Sequence, residues 1–164
     1  MEVDFINQAQ LKNKGNYFED FNIDQVFEHH WGKTLIEADN SLFSSLNLEA
    51  NPLYFNECYA QGHDHPSVII NPMLVFNTVF GLSVEDLSEA GGLFLGVDAL
   101  TYHQSVYPRD TLVARSKVLA KRLSNKNPLL GIVTWHTEGF NQYDELVIDF
   151  KRSNLVSKRP GGTE

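Results

Sequence analysis

Cysteine is nearly absent from this chain of 164 residues, and long apolar runs are absent altogether. The single cysteine, Cys58, cannot form an internal disulfide, which argues against a disulfide-stabilised secreted scaffold. No stretch approaches the roughly 20 apolar residues that a membrane-spanning helix needs. The first ten residues are polar and acidic, unlike a basic leader followed by an apolar segment. A cytoplasmic protein that does not contact membranes is therefore expected.

Positive charge is scarce in the first two thirds of the chain. Residues 1–108 contain 3 Lys and Arg against 15 Asp and Glu, whereas residues 109–164 contain 10 against 6, and the net charge is −8. This acidity argues against a general nucleic-acid binder, which must neutralise phosphates. The basic final third could hold one phosphorylated ligand. Alternatively, its cations form only the solvated face of a strand: Arg115, Lys117, Lys121 and Arg122.

The pattern along the chain indicates one domain. Residues 1–16 are polar and predict an irregular arm, and residues 17–160 hold the predicted domain, without repeat or linker. Gln25–Lys33 predicts a first strand. Thr34 and Glu37 then form a capping-box pattern that opens a helix. The apolar face predicted for that helix carries Ala38, Leu42, Phe43 and Leu46.

A second helix and four long strands are predicted downstream. Asn71 and Pro72 combine a helix cap with a proline at the first helical position, and an apolar stretch follows them. Four segments rich in branched and aromatic residues then alternate with short turn-forming groups: 92–106, 111–124, 129–140 and 145–157. Short turns join antiparallel neighbours. The predicted fold is therefore α+β, a single hot-dog domain whose curved antiparallel sheet wraps around a central helix.

The most informative motif lies between the two predicted helices and reads Glu49-Ala50-Asn51-Pro52-Leu53-Tyr54. It resembles the hydratase signature of the MaoC-like dehydratases, in which an Asp precedes Asn-Pro-Leu and a His follows it. The resemblance covers roughly residues 15–160 and points to the mesaconyl-coenzyme A hydratase-like branch. Further segments similar to the family follow in the same order: the helix start at Asn71, Val106–Thr111, and Gly131–Gln142 with a closing Lys158-Arg159-Pro160.

The resemblance implies a hydratase or dehydratase acting on an acyl thioester of coenzyme A or of an acyl carrier protein, in a homodimer or larger homo-oligomer. Water addition needs a base for the water, an acid for the α-carbon and hydrogen-bond donors to the thioester oxygen. The family's Asp and His take the first two roles, so Glu49 is the expected base and Tyr54 the expected acid. No cofactor and no metal are expected.

This chain departs from the family pattern at three positions. Glu49 is one methylene longer than the family's Asp. Tyr54 replaces an imidazole by a phenol with an ordinary pKa of about 10, which donates a proton well but is a poor base near neutrality. Pro72 lies where the family offers a helix-start N–H to the thioester, and proline has no N–H. Alternatively, Glu49 is a surface residue and Tyr54 an ordinary core residue.

Three further residues near the motif are expected to contact substrate. The amide of Met73, or that of Leu74, would substitute for the missing N–H of Pro72. Asn51 lies beside Glu49 in the motif, and Asn71 begins the central helix, near the expected thioester. Alternatively, each asparagine only begins a helix, because Asn followed by Pro is a common cap.

Two histidines and one arginine complete the candidate site. His63 and His65 precede the central helix, and either could replace the family's lost His; their spacing also suits a metal, but no third ligand is evident. Arg109 replaces a family glycine at a turn. Together with Lys158 and Arg159 it is expected to meet the phosphates of coenzyme A or an acidic carrier.

Two other functions are compatible with the sequence. The three departures are compatible with a hot-dog protein that has lost hydration chemistry and binds an acyl thioester, serves as a partner subunit, or catalyses another reaction in a specialised biosynthetic pathway. A thioesterase with Glu49 as its base is a lesser alternative, since hot-dog proteins often hydrolyse thioesters with a helix-borne carboxylate.

Overall fold

The computed structural model describes residues 15–160, so the arm predicted at 1–16 lies outside the described residues except for its last two. Four helices are present there: α1 (Glu37–Leu46), α2 (Glu57–Gln61), α3 (Pro72–Leu82) and α4 (Val84–Leu87). The strands are β1 (Val26–Thr34), β2 (Phe94–Tyr102), β3 (Thr111–Leu123), β4 (Leu130–Phe140) and β5 (Leu146–Ser157). Single 3₁₀ turns occupy Phe18–Asp20 and Pro52–Tyr54. None of the helices within 15–160 is long and apolar enough to cross a membrane.

The five strands form one antiparallel sheet in the order β1-β3-β4-β5-β2. Along β4 every second residue is buried, which is the pattern of a strand with one face against a core. That face packs on α3, whose Val75 and Val79 join Ile148 and Phe150 of β5 in the main core cluster. A side chain at Gly139 would collide with Val79, so this glycine lets the helix approach the sheet. The predicted α+β architecture and central helix are confirmed.

The predicted apolar face of α1 is wrong. The buried residues of this helix are the polar Asn40 and Ser44, whereas Leu42 and Leu46 are 63% and 75% exposed. The predicted capping box is also shifted: Ile36 is the cap residue, and its N–H donates to the Asp39 carboxylate at 3.1 Å. The physical reason is that α1 turns its polar side towards the start of α3, where backbone groups need hydrogen-bond partners.

Candidate functional site

The candidate site lies where α1 meets the start of α3. Asn71 caps α3, since its Oδ1 accepts the N–H of Met73 at 2.9 Å, and its own N–H donates to Oδ1 of Asn40 at 2.7 Å. Asn40, which is fully buried on α1, donates from Nδ2 to the carbonyls of Ile69 at 2.9 Å and Tyr54 at 3.1 Å. Two buried asparagines therefore tie α1, the 52–54 turn and the start of α3 together.

The carboxylate of Glu49 is held at this junction. Nδ2 of Asn71 donates to Oε2 of Glu49 at 2.9 Å and lies 3.0 Å from Oγ of Ser44. Within residues 15–160 the other carboxylate oxygen makes no hydrogen bond, which leaves it able to accept from a water or substrate. A cavity of about 270 Å³, lined partly by Glu49, Leu48 and Phe55, opens beside it. The geometry thus presents a half-buried, oriented carboxylate to an apolar space.

Tyr54 lies close to Glu49 and is half-buried. Burial, and then the negative charge of Glu49, raise the pKa of its phenol above the ordinary value, although a hydrogen bond with Asn51 acts in the opposite direction. The phenol is therefore protonated throughout the physiological range. It can donate a proton or a hydrogen bond, and it cannot serve as a base near neutrality.

Tyr102, at the end of β2, is a site residue that sequence reasoning missed. Its hydroxyl donates to the carbonyl of Pro72 at 2.9 Å. Burial, and then the neighbouring Tyr54, raise the pKa of this second phenol. A second cavity, also of about 270 Å³, is lined by Pro72, Ile70 and residues 102–106, which include Tyr102. Nothing in the linear motif pointed to Tyr102, because the fold alone brings β2 to the helix start.

Asn51 and Met73 have local structural roles as well as a place near the site. Oδ1 of Asn51 accepts the N–H of Leu53 at 3.1 Å and so caps the 52–54 turn. The Met73 amide, expected to replace the missing N–H of Pro72, is instead engaged by the Asn71 side chain. The structure therefore brings Glu49 and Tyr54 together with Asn71, whereas the N–H of Met73 donates to the side chain that caps α3.

The two candidate histidines point to different neighbours. Nδ1 of His63 lies 2.7 Å from the carbonyl of Tyr59, and the two rings stack at 4.1 Å, so His63 belongs to the exposed surface of α2. Nδ1 of His65 lies 3.0 Å from the hydroxyl of Tyr107. Among residues 15–160, no group of three or more His, Cys, Asp or Glu side chains is arranged to hold a metal ion.

The predicted cationic cluster is not assembled. Arg109 lies in the turn before β3, whereas Lys158 and Arg159 follow β5, and strand pairing puts these two points at opposite ends of the sheet. Arg159 is paired with Asp20 at 2.5 Å. Arg109 is exposed and has φ = 82°, a left-handed conformation that explains the family's glycine at this turn. Of the three cations, Arg109 alone shares the sheet end of Tyr102.

Comparisons with known proteins place the chain in a family. A sequence profile of the mesaconyl-CoA hydratase family matches residues 3–163. The chain belongs to this family. The β-methylmalyl-CoA dehydratase of Chloroflexus aurantiacus is 37% identical over 147 residues, which are 90% of this chain and 42% of that protein.

Solved structures confirm the family's hot-dog fold for this chain. A MaoC domain protein dehydratase from Chloroflexus aurantiacus is 35% identical with a TM-score of 0.88, over 95% of this chain and 44% of that one. A Mycobacterium tuberculosis protein with a double hot-dog fold is 24% identical with a TM-score of 0.79, over 92% of this chain and 46% of that one. The chain thus spans less than half the length of these relatives.

Proposed function

We propose that this chain is a hot-dog unit of a hydro-lyase that adds water to, or removes it from, an acyl chain held as a thioester on coenzyme A. The observation that carries the proposal is the carboxylate of Glu49, held 2.9 Å from the amide of Asn71 at the start of the central helix and next to the phenol of Tyr54. Membership of the mesaconyl-CoA hydratase family supports the same chemistry.

In the hydration direction Glu49 takes a proton from water, and the resulting hydroxide forms a bond to the β-carbon of the conjugated thioester. The electron pair of the double bond moves towards the thioester oxygen, and the α-carbon then receives a proton from Tyr54. The raised pKa of Tyr54 suits this role, because the phenol is protonated when the substrate arrives. Dehydration is the reverse sequence.

The substrate proposed is a short, branched acyl-CoA thioester. Among relatives, the Chloroflexus protein is named for β-methylmalyl-CoA and the family for mesaconyl-CoA. Both compounds carry one free carboxylate besides the thioester. Such a substrate needs a cation for the distal carboxylate or the coenzyme A phosphates. Arg109 is proposed for that contact, and His65 and Asn51 are proposed to line the acyl path.

The proposed assembly is a homodimer or a larger homo-oligomer. Relatives of about twice this length include a double hot-dog protein, which suggests that two units work side by side. Strand β2 is at the end of the sheet order, so one of its edges has no strand partner within residues 15–160. Leu42, Leu46 and Leu48 add exposed apolar surface near Glu49.

The experiment is a hydration assay with mesaconyl-CoA and simpler enoyl-CoA thioesters, which follows the absorbance of the conjugated bond. Wild type should consume the substrate, and Glu49→Gln should be slower by about 10²–10⁴-fold. Glu28→Gln is the matched control, since the side chain of Glu28 is 73% exposed on β1 and is near Arg115 rather than any residue of the site. No turnover by wild type, or equal rates in wild type and Glu49→Gln, would exclude the proposed function.

A second candidate is thioester binding without hydration. It is favoured by one observation, that the N–H groups at the start of α3 are already engaged or absent, so the usual stabilisation of the thioester oxygen is missing there. The same assay separates the candidates: this one predicts saturable binding of an enoyl-CoA whose conjugated bond persists.

A further inference from the structure

The start of the central helix offers no available backbone donor among the described residues. Pro72 has no N–H. The N–H of Met73 donates to Oδ1 of Asn71 at 2.9 Å, and those of Leu74 and Val75 donate to the Asn71 carbonyl at 2.9 and 3.1 Å. Addition of water to a conjugated thioester nonetheless builds negative charge on the thioester oxygen. A hydration site built here requires another donor.

The hydroxyl of Tyr102 lies next to the start of the central helix. It lies 2.9 Å from the carbonyl of Pro72, at the first residue of α3. Tyr102 and Pro72 also share the wall of the second cavity of about 270 Å³, which is not the one beside Glu49. Tyr102 is 39% exposed, so a ligand in that second cavity can reach the ring. A phenolic O–H therefore occupies the neighbourhood of the missing helix-start N–H.

The bond to Pro72 anchors the hydroxyl without blocking it. A phenolic hydrogen turns about the C–O bond, so the O–H can redirect to a thioester oxygen that enters the cavity. The Pro72 carbonyl loses little by this exchange, because as the first helical residue it also accepts a bond from within the helix. Burial and the nearby Tyr54 keep the phenol protonated, so it remains a donor.

We propose that Tyr102 is a further catalytic residue of this site and donates a hydrogen bond to the thioester oxygen, in place of the N–H that Pro72 cannot supply. This inference rests on the proposed function and adds a residue to it. Glu49 then accepts a proton and Tyr54 donates one, while Tyr102 stabilises the negative charge that develops on the thioester oxygen. The donor comes from the sheet rather than from the helix backbone.

The test uses Tyr102→Phe, with Tyr143→Phe as the matched control because Tyr143 is 73% exposed in the β4–β5 turn. Loss of one such donor should lower kcat by about 10²–10³-fold, with KM changed less than about threefold. A second readout needs no turnover: the C=O stretch of a saturated acyl-CoA, labelled with ¹³C at the thioester carbon, is recorded by difference infrared spectroscopy.

The carbonyl band should move to lower frequency on binding to wild type, Tyr143→Phe and Glu49→Gln, and should not move in Tyr102→Phe. An unchanged band shift and unchanged kcat in Tyr102→Phe would overturn the role of Tyr102 and leave the proposed function intact. A wild type that does not bind the thioester at all would overturn both.

Discussion

At the residue scale, the site depends on one side chain that touches several others. Asn71 caps α3, donates its backbone N–H to the buried Asn40 and orients the carboxylate of Glu49. The motif and its resemblance predicted Glu49 and Tyr54 as a catalytic pair and Asn71 as a substrate-binding residue, and the structure brings the three together. The sequence could not reveal the role of Asn40, because an asparagine within a helix carries no local signal of what its side chain contacts elsewhere in the fold.

Asn71→Asp separates the capping role of Asn71 from its role towards Glu49. Aspartate caps helices as well as asparagine does, but a second carboxylate about 3 Å from Glu49 repels it and removes the donor. Because Asn71 is fully buried, the added carboxylate should also lower thermal stability. At a temperature where the variant is folded, kcat should fall by about 10²-fold. The matched control is Asn56→Asp, at the cap of α2. If both variants retain full activity, Asn71 does not orient the base.

The pH dependence of the reaction tests Tyr54. Because the pKa of its phenol is raised above 10, wild type should lose no acid function between pH 6 and 9. Tyr54→His substitutes an imidazole, which must be protonated to act as the acid and loses its proton near pH 6.5. The rate of Tyr54→His should therefore fall as pH rises through that range. A profile with the same shape as wild type would show that Tyr54 is not the proton donor.

At the element scale, the strands were predictable and the orientation of α1 was not. Apolar segments separated by turn residues located all four C-terminal strands to within a few residues, because turns and buried strands have local signatures. Which face of α1 is buried depends on residues distant in sequence, because the start of α3 requires hydrogen-bond partners and Asn40 and Ser44 supply them. Tyr102 was missed for the same reason, since its partner is 30 residues away.

A buried polar chain links β1, β3, β4 and α4. Asp86 contacts Nδ1 of His29 at 2.6 Å, Nε2 of His29 contacts Ser116 at 2.9 Å, and Ser116 contacts Thr137 at 2.8 Å. Although this resembles the order of a hydrolytic triad, Ser116 is fully buried and no substrate reaches it. These hydrogen-bonded side chains are therefore a structural feature of the core.

Acid should weaken the fold through His29. Burial lowers the pKa of its imidazole, despite the opposing effect of Asp86, so the folded state binds the proton less readily than the unfolded chain. The stabilisation is complete above about pH 6.5 and is lost as pH falls below it. In urea unfolding, the free energy of unfolding of wild type should be lower at pH 5 than at pH 7.5. His29→Gln should reduce this difference, whereas His30→Gln, which changes the exposed neighbour, should leave it unchanged. An equal drop in all three proteins would contradict this.

At the scale of the whole molecule, β2 is one of the two edge strands of the sheet, and its outer edge has no strand partner within residues 15–160. Unpaired edges attract other strands, and Leu100 of β2 is 38% exposed. Leu100→Lys should shift the protein towards monomer in light scattering at micromolar concentration, whereas Leu129→Lys, in the β3–β4 turn, should not. A monomeric wild type would exclude the interface. An assembly that Leu100→Lys does not affect would place the interface elsewhere.

The central claim, that Glu49 activates water for addition to an acyl-CoA thioester, is tested most directly in H₂¹⁸O with an enoyl-CoA substrate and mass spectrometry of the products. We expect one ¹⁸O in the acyl chain of an intact thioester with wild type, and at least about 10²-fold less incorporation with Glu49→Gln. Label in a released carboxylic acid, with free thiol, would instead indicate hydrolysis. An unlabelled, unchanged substrate would contradict the account.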